Sequence, residues 1–233
     1  MNSDEMKEKA AQKAMDYVQS GMKLGLGTGS TAAKFVDLVG AAVAEGLDVI
    51  CVPTSVATRD QAAALNIPLT TLDETPHLDL TVDGADELDE QLRLVKGGGG
   101  ALLREKIVAT SSDKMVVIAD DSKLVETLGA FPLPIEVVQF GLKSSLMMMN
   151  ALASRVGCSG EIKQRMGEDG TPFITDNGNF ILDCHFGRIE KPEALSGAFA
   201  QVPGVVENGL FLGIADVAII AGEEGLTTLE LGA

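Results

Sequence analysis

Asp83-Gly84-Ala85-Asp86-Glu87-Leu88-Asp89-Glu90-Gln91-Leu92-Arg93-Leu94-Val95-Lys96-Gly97-Gly98-Gly99-Gly100-Ala101-Leu102-Leu103-Arg104-Glu105-Lys106 holds most of the chemistry in this chain. The alternating run before it, Leu78-Asp79-Leu80-Thr81-Val82, predicts a strand. Asp83, Asp86 and Glu87 then fall at and just beyond its carboxyl end, where open α/β sheets bind ligands. Arg93-Leu94-Val95 predicts a second short strand, leading to Lys96, four glycines and a helix from Ala101 to Ala109. Consecutive glycines let backbone N–H groups turn inward and approach an anion closely.

Arg104, Glu105 and Lys106 are consecutive on that helix and cover an arc of about 200° at the α-helical pitch, so they do not share one solvent stripe. Glu105 has Ala101, Leu102, Val108 and Ala109 at its i±3 and i±4 positions. An apolar surround raises a carboxyl pKa toward neutrality and suits it to proton transfer. An ordinary charged patch on a surface helix is the alternative for this segment taken alone.

The 233 residues are 45% hydrophobic, enough for a substantial core in one large domain or two smaller ones. Eighteen basic against 34 acidic residues give a formal charge of −16, which disfavours nucleic acid and anionic lipid as partners. An anionic substrate therefore needs a local cationic site. Cys51, Cys158 and Cys184 are odd in number and scattered, as expected of buried thiols in a reducing compartment. The first residues lack the regions of a signal peptide, and the apolar run from Leu212 to Ala221 is short and broken by Asp216. A cytoplasmic location without membrane attachment is expected.

Upstream, Asp4 to Gln19 has helical periodicity and carries Lys7 in its first turns. Lys23-Leu24-Gly25-Leu26 predicts a strand leading through Gly27-Thr28-Gly29-Ser30-Thr31 into a helix from about Ala32 to Ala44. A strand, a glycine-rich turn and a helix start form a phosphate cradle, and a tight turn capped by Ser30 or Thr31 accounts for the same residues. The dinucleotide fingerprint fails because Ser30 takes the place of its third glycine, and no P-loop lysine follows. No Gly-x-Ser-x-Gly elbow is present, and His77 and His185 lack metal-ligand spacing. Strands are expected at 48–52, 69–72 and 114–119, a helix at 57–65, and Lys123 on the loop after the last of these strands.

This alternation argues a doubly wound, largely parallel, Rossmann-like sheet. After Gly129 the rhythm becomes strand 135–139, helix 143–156, strand 161–165, a hairpin with strands 173–175 and 180–183, helix 192–200 and a last segment beyond Pro203-Gly204. That β-α-β-β-α-β pattern predicts an inserted ferredoxin-like α+β domain over 131–206, with 1–130 and 207–233 forming the catalytic domain. Asp216 to Ile220 returns as a buried strand of the first sheet, and Met147, Met148 and Met149 are read as core filling.

A Gly/Thr/Ser cradle, carboxylates at Asp83 and Asp86, Lys96 beside a glycine nest and a base at Glu105 suit proton transfer next to the carbonyl of a small phosphorylated molecule. Neither an organic cofactor nor a metal is called for. These motifs, with Thr175-Asp176-Asn177-Gly178-Asn179 and Pro203-Gly204-Val205-Val206-Glu207-Asn208-Gly209-Leu210-Phe211, resemble ribose-5-phosphate isomerases of the A type along essentially the whole chain. The resemblance implies metal-free interconversion of ribose 5-phosphate and ribulose 5-phosphate through an enediol, in the non-oxidative pentose phosphate pathway, by a homodimer or homotetramer. It also implies Glu105 as catalytic base, with Asp83, Asp86 and Lys96 assisting. Thr28, Gly29, Ser30, Thr31, Gly84, Ala85, Gly97, Gly98, Gly99, Lys123 and Lys7 are implied to bind substrate. A CoA transferase using Glu105 as nucleophile and a non-catalytic phosphosugar sensor are the alternatives; a sensor would need a DNA-binding module for which no segment is left.

Overall fold

Asn2 and Glu5 cap the first helix reciprocally: the Asn2 side chain accepts the Glu5 N–H at 2.9 Å, and the Glu5 carboxylate accepts the Asn2 N–H at 3.1 Å. In the computed structural model, which describes residues 2–230, this helix, α1, spans Ser3–Ala14. Strand β1 (Lys23–Leu26), helix α2 (Ser30–Ala44), strand β2 (Ile50–Pro53), helix α3 (Val56–Ala64) and strand β3 (Leu80–Gly84) follow. Next come two short strands, β4 (Glu87–Leu88) and β5 (Leu94–Val95), helix α4 (Leu102–Thr110) and strand β6 (Met115–Asp120). A second group holds β7 (Leu133–Val137), α5 (Leu142–Arg155), β8 (Glu161–Gln164), β9 (Phe180–His185), α6 (Pro192–Phe199) and β10 (Val205–Asn208). The chain then makes β11 (Leu210–Phe211), β12 (Val217–Gly222) and β13 (Gly225–Glu230).

The main sheet has the order β13-β12-β6-β3-β1-β2 and is parallel except for β13. From β1 the chain first adds β2 on one side and then β3 on the other. The order thus reverses between β1 and β3, and the crevice outside their carboxyl ends is the expected ligand position. Strand alternation assigns the two faces. Leu80, Val82, Val116 and Ile118 join a core with Met6, Ala10, Phe35 and Ala62 from the first three helices. Met115, Val117 and Ala119 face a second core with Leu88, Leu94, Ala109 and Phe211. Asp83 follows Val82 and so lies on the α4 side of the sheet.

The smaller sheet has the order β10-β7-β9-β8, antiparallel throughout, with α5 and α6 covering one face. Counted within the insertion, the strand order is 4-1-3-2, the ferredoxin-like arrangement expected. Leu133, Ile135 and Val137 point into its core, so Pro134 and Glu136 point the other way. Strands β11, β5 and β4 form a third, three-stranded antiparallel sheet, so the strand at Leu94–Val95 does not belong to the parallel sheet.

Several expectations need correction. Residues 173–175 form no strand; Met166 and Pro172 make one isolated bridge, and the segment leads into the 175–179 loop, whose polar side chains are claimed by Glu136. Residues 69–72 supply a single bridge, Leu69 to Cys51. The expected boundary at 206/207 falls inside β10. Of the three methionines only Met149 is core; Met147 and Met148 face outward because three consecutive residues cannot share one helix face. Strand β13 was not anticipated. Cys51, Cys158 and Cys184 are buried free thiols, and no helix among the described residues is long and apolar enough to cross a membrane.

Helix α1 packs on α2, β6 and β12 through Ala10, Ala11 and Ala14, each fully buried. Small side chains there set how closely α1 approaches. Ala10→Leu is expected to overpack this seam and lower stability by about 1 to 3 kcal/mol, measured as a fall in the urea midpoint at unchanged m-value.

Candidate active site

Lys96, at the end of β5, is buried, and its ammonium is the centre of the site. Nζ donates to the Gly84 carbonyl at 2.6 Å and to Glu105 Oε1 at 3.2 Å, and lies 3.0 Å from Asp83 Oδ2. The Phe211 ring, its centroid 5.4 Å away, backs the same ammonium. Asp83 and Glu105 are themselves buried, so two carboxylates share one cation out of water.

Charge balance in this trio favours one neutral carboxyl. Burial, reinforced by Asp83 and opposed by Lys96, pushes the Glu105 carboxyl up to about 8. Burial also raises Asp83, against the pull of Lys96 and of two backbone N–H groups. For Lys96, burial works against the charge, but Asp83 and Glu105 outweigh it and the ammonium is held. Glu105 Oε2 is buried and has no hydrogen-bond partner among the described residues.

The neighbours of Glu105 on α4 point elsewhere, as the 100° spacing requires. Arg104 donates to Asn177 Oδ1 at 2.8 Å and to the Asp176 carbonyl at 2.9 Å. Lys106 donates to Glu207 at 2.8 Å and to the Asn208 carbonyl at 2.6 Å. Both tie α4 to the inserted segment and set the rotation of the helix that carries Glu105.

A cavity of about 240 Å³ opens beside the trio, at the reversal point of the main sheet. Its wall brings together Lys7 from α1, the turn Thr28 to Thr31, Gly84 to Asp86, Lys96 to Gly99, Glu105 and Lys123. Every expected site residue except Asp83 lines it. Asp83 is fully buried behind Lys96: Oδ1 accepts the Gly84 N–H at 2.7 Å and the Thr28 N–H at 3.1 Å. It contacts Lys96 and the first turn and has no exposed surface. Gly27 is required there because a Cβ would overlap the Asp83 carboxylate.

Thr28 lines the cavity, yet its polar groups are engaged within the protein. Its hydroxyl joins a cluster with Thr54 at 2.7 Å, Ser55 at 2.8 Å and Thr58 at 3.1 Å, and its N–H is taken by Asp83. Thr28 thus anchors the turn. The helix start itself has Gly29 at its N-cap and no side-chain cap, so neither Ser30 nor Thr31 closes it. Uncapped N–H groups, the positive end of a 15-residue helix, Lys7 and Lys123 all contribute to the cavity wall.

In the glycine nest Asp86 Oδ2 accepts the Gly98 N–H at 2.7 Å, and Gly97, at φ +106°, gives the nest its turn. Three lining residues were missed: Ser3, Asp120 and Ser122. Asp120 accepts from the Ser122 N–H and hydroxyl and so shapes the turn that carries Lys123. Its place at the carboxyl end of β6 was a usable signal. Glu87 takes no part, because its carboxylate accepts the Gly129 and Phe131 N–H groups, each at 2.6 Å.

A family model described as ribose 5-phosphate isomerase A (phosphoriboisomerase A) matches residues 50–225. The chain is 58% identical to ribose-5-phosphate isomerase A of Parvibaculum lavamentivorans, over 99% of this chain and 100% of that protein. It is similar to ribose 5-phosphate isomerase from Plasmodium falciparum, with a TM-score of 0.93 and 40% identity over 99% of this chain and 100% of that one. A D-ribose-5-phosphate isomerase in complex with phospho-erythronic acid matches with the same score, identity and coverage. A family model over most of the chain and identity of this order over full length, with TM-scores of 0.93, show that the chain belongs to the ribose 5-phosphate isomerase A family.

Proposed function

We propose that this chain interconverts ribose 5-phosphate and ribulose 5-phosphate by proton transfer through an enediolate, with Glu105 as the base. The observation that carries the reading is a buried carboxyl, pushed up to about 8 and with one free oxygen, in a cavity whose wall also holds an uncapped helix start, Lys7 and Lys123. A five-carbon sugar phosphate has its phosphate and its reacting carbons at opposite ends, as this cavity has its two kinds of wall. In this reading the phosphate sits at the start of α2, between Lys7 and Lys123. The open-chain sugar then lays C1 and C2 between Glu105 and the glycine nest.

The steps follow from proton bookkeeping. Ionised Glu105 removes the proton from C2 of the aldose, the electron pair forms the C1–C2 double bond, and the carbonyl oxygen at C1 takes up the negative charge. Return of the proton to C1 and transfer of the O2 proton toward O1 give the ketose. Lys96 and the backbone donors of the nest stabilise the developing oxyanion in a site withdrawn from water. Asp86, which lines the cavity, is the aspartate placed to assist ring opening; Asp83 acts by holding Lys96. That a relative was solved with phospho-erythronic acid suits this reading, since its carboxylate presents two oxygens on one carbon next to a phosphorylated chain.

The same reading takes 1–130 with 207–233 as the catalytic unit and 131–206 as the smaller one, with the second boundary moved past Asn208 to keep β10 whole. Assembly as a homodimer or homotetramer in the cytoplasm belongs to this proposal.

Incubation with ribose 5-phosphate, with ketose formation followed directly, is the decisive assay. Glu105→Gln keeps size and removes the base, so kcat should fall by about 10² to 10⁴ while substrate binding persists. Near-normal turnover in the folded variant would remove Glu105 from the role.

Because the base must be ionised and its carboxyl is raised, kcat/KM of the wild type should climb with pH and level off above about 8. Asp83 adds to that rise, so Asp83→Asn should move the limb to lower pH; an unmoved limb would detach it from Glu105.

Replacing Ser30 and Thr31 by Ala should weaken ribose 5-phosphate more than unphosphorylated ribose, each lost charge-assisted hydrogen bond being worth about 1.5 to 3 kcal/mol. Equal proportional losses on both sugars would show that the turn serves only the fold.

A further inference from the structure

Four consecutive glycines make a poor scaffold for a catalytic wall, because glycine has more backbone freedom to lose than any other residue. The run's own turn bond, from the Gly100 N–H to the Gly97 carbonyl at 2.9 Å, fixes one plane and leaves the Gly98 carbonyl to a group outside the run. In this structure that is Arg165, immediately after β8 on the inserted segment. Its Nη1 donates to the carbonyl oxygens of Gly97 and Gly98, at 2.9 Å each. The guanidinium is aimed in turn by Asp183 of β9, which accepts from Nε at 2.9 Å and from Nη2. Both partners are largely withdrawn from solvent, at 15% and 18% side-chain exposure. Phe173 closes the arrangement, with its ring 5.8 Å from the guanidinium carbon and packed against Gly100.

We infer that Arg165 is a positioning residue for the reaction, acting by fixing the direction of the Gly98 and Gly99 N–H groups. The inference rests on the isomerase reading above. In a trans peptide the C=O and the following N–H point in opposite directions. Holding the Gly97 carbonyl outward therefore turns the Gly98 N–H inward, where Asp86 accepts it at 2.7 Å. Holding the Gly98 carbonyl outward does the same for the Gly99 N–H, which makes no hydrogen bond among the described residues and belongs to a residue lining the cavity. That N–H is the donor left free for an oxyanion. The two-pronged grip needs a planar fork: one guanidinium bonds Asp183 on one edge and both carbonyls with the remaining nitrogen, which a lysine ammonium cannot reproduce.

The test is Arg165→Met, with Arg165→Lys and Asp183→Asn measured beside it so that a folded variant is always in hand. Urea midpoints identify which variants are folded. Expected is a fall in kcat with ribose 5-phosphate of about 10²-fold, the cost of misplacing a catalytic group slightly, at a KM within a few-fold of wild type. Inhibition by phospho-erythronic acid should weaken with kcat/KM, while inhibition by inorganic phosphate, seated at the start of α2, should not change. Added guanidinium ion should restore part of the turnover of Arg165→Ala and none of that of Glu105→Gln. A folded Arg165→Met with kcat within about twofold of wild type would overturn the inference. So would equal weakening of both inhibitors without guanidinium rescue, which is the mark of a general structural role. Failure of the wild type itself to form ketose would overturn the isomerase reading instead, and an unchanged ratio of the two inhibitor affinities in Arg165→Met would still reject Arg165 by itself.

Discussion

One buried ammonium with two buried carboxylates around it governs this molecule. Lys96 Nζ sits 3.0 Å from Asp83 and 3.2 Å from Glu105, and the three are carried by different parts of the chain: Lys96 directly after β5, Asp83 in β3 and Glu105 in α4. Taking such charges out of water costs several kcal/mol apiece, and removing one partner strands the others. The three elements must therefore arrive together. The parallel sheet fixes Asp83, the small β11-β5-β4 sheet fixes Lys96, and the cross-links from Arg104 and Lys106 fix the turn of α4 that carries Glu105. Two carboxylates against one cation also leave the site one proton short of neutrality. That imbalance raises Glu105 toward the pH at which it can both take and return a proton.

The inserted segment contributes more than bulk. Its sheet covers α5 and α6 with one face and presents Pro134, Glu136, Arg165 and Asp183 on the other, toward the glycine run and α4. The Thr175 to Asn179 loop illustrates the division of labour. Glu136 gathers Thr175, Asn177 and Asn179 on a single oxygen, and the shaped loop then holds Arg104 and, through Asp176, the Val56 N–H at 2.7 Å. Val56 opens α3, next to the hydroxyl cluster that anchors Thr28. One loop of the smaller sheet thus braces both walls of the cavity.

Much of this was legible in the chain itself, because its signals are local. The period-2 run before Asp83 and the glycines after Lys96 announce a strand and a turn whatever surrounds them. The spacing of Ala101, Leu102, Val108 and Ala109 around Glu105 announces an apolar surround. Alternation of strand and helix up to Ala119, followed by the β-α-β-β-α-β rhythm, was enough for both architectures, and the motifs were enough for the family.

What only the tertiary structure decided is where polar groups with several possible partners spend their hydrogen bonds. Thr28 reads as a ligand-facing hydroxyl in the turn Gly27-Thr28-Gly29-Ser30-Thr31, yet three hydroxyls from α3 and the turn before it outcompete the cavity for it. Asp83 and Asp86 are equivalent as letters; the pleat of β3 buries Asp83 behind Lys96, and the turn after the strand puts Asp86 on the cavity wall. Arg165 carries no motif at all, and its hold on Gly97 and Gly98 spans 68 and 67 residues of sequence. Periodicity and turn chemistry are set by neighbours along the chain and can be read there. Selection among distant donors and acceptors is set by burial, which exists only once the sheets have packed.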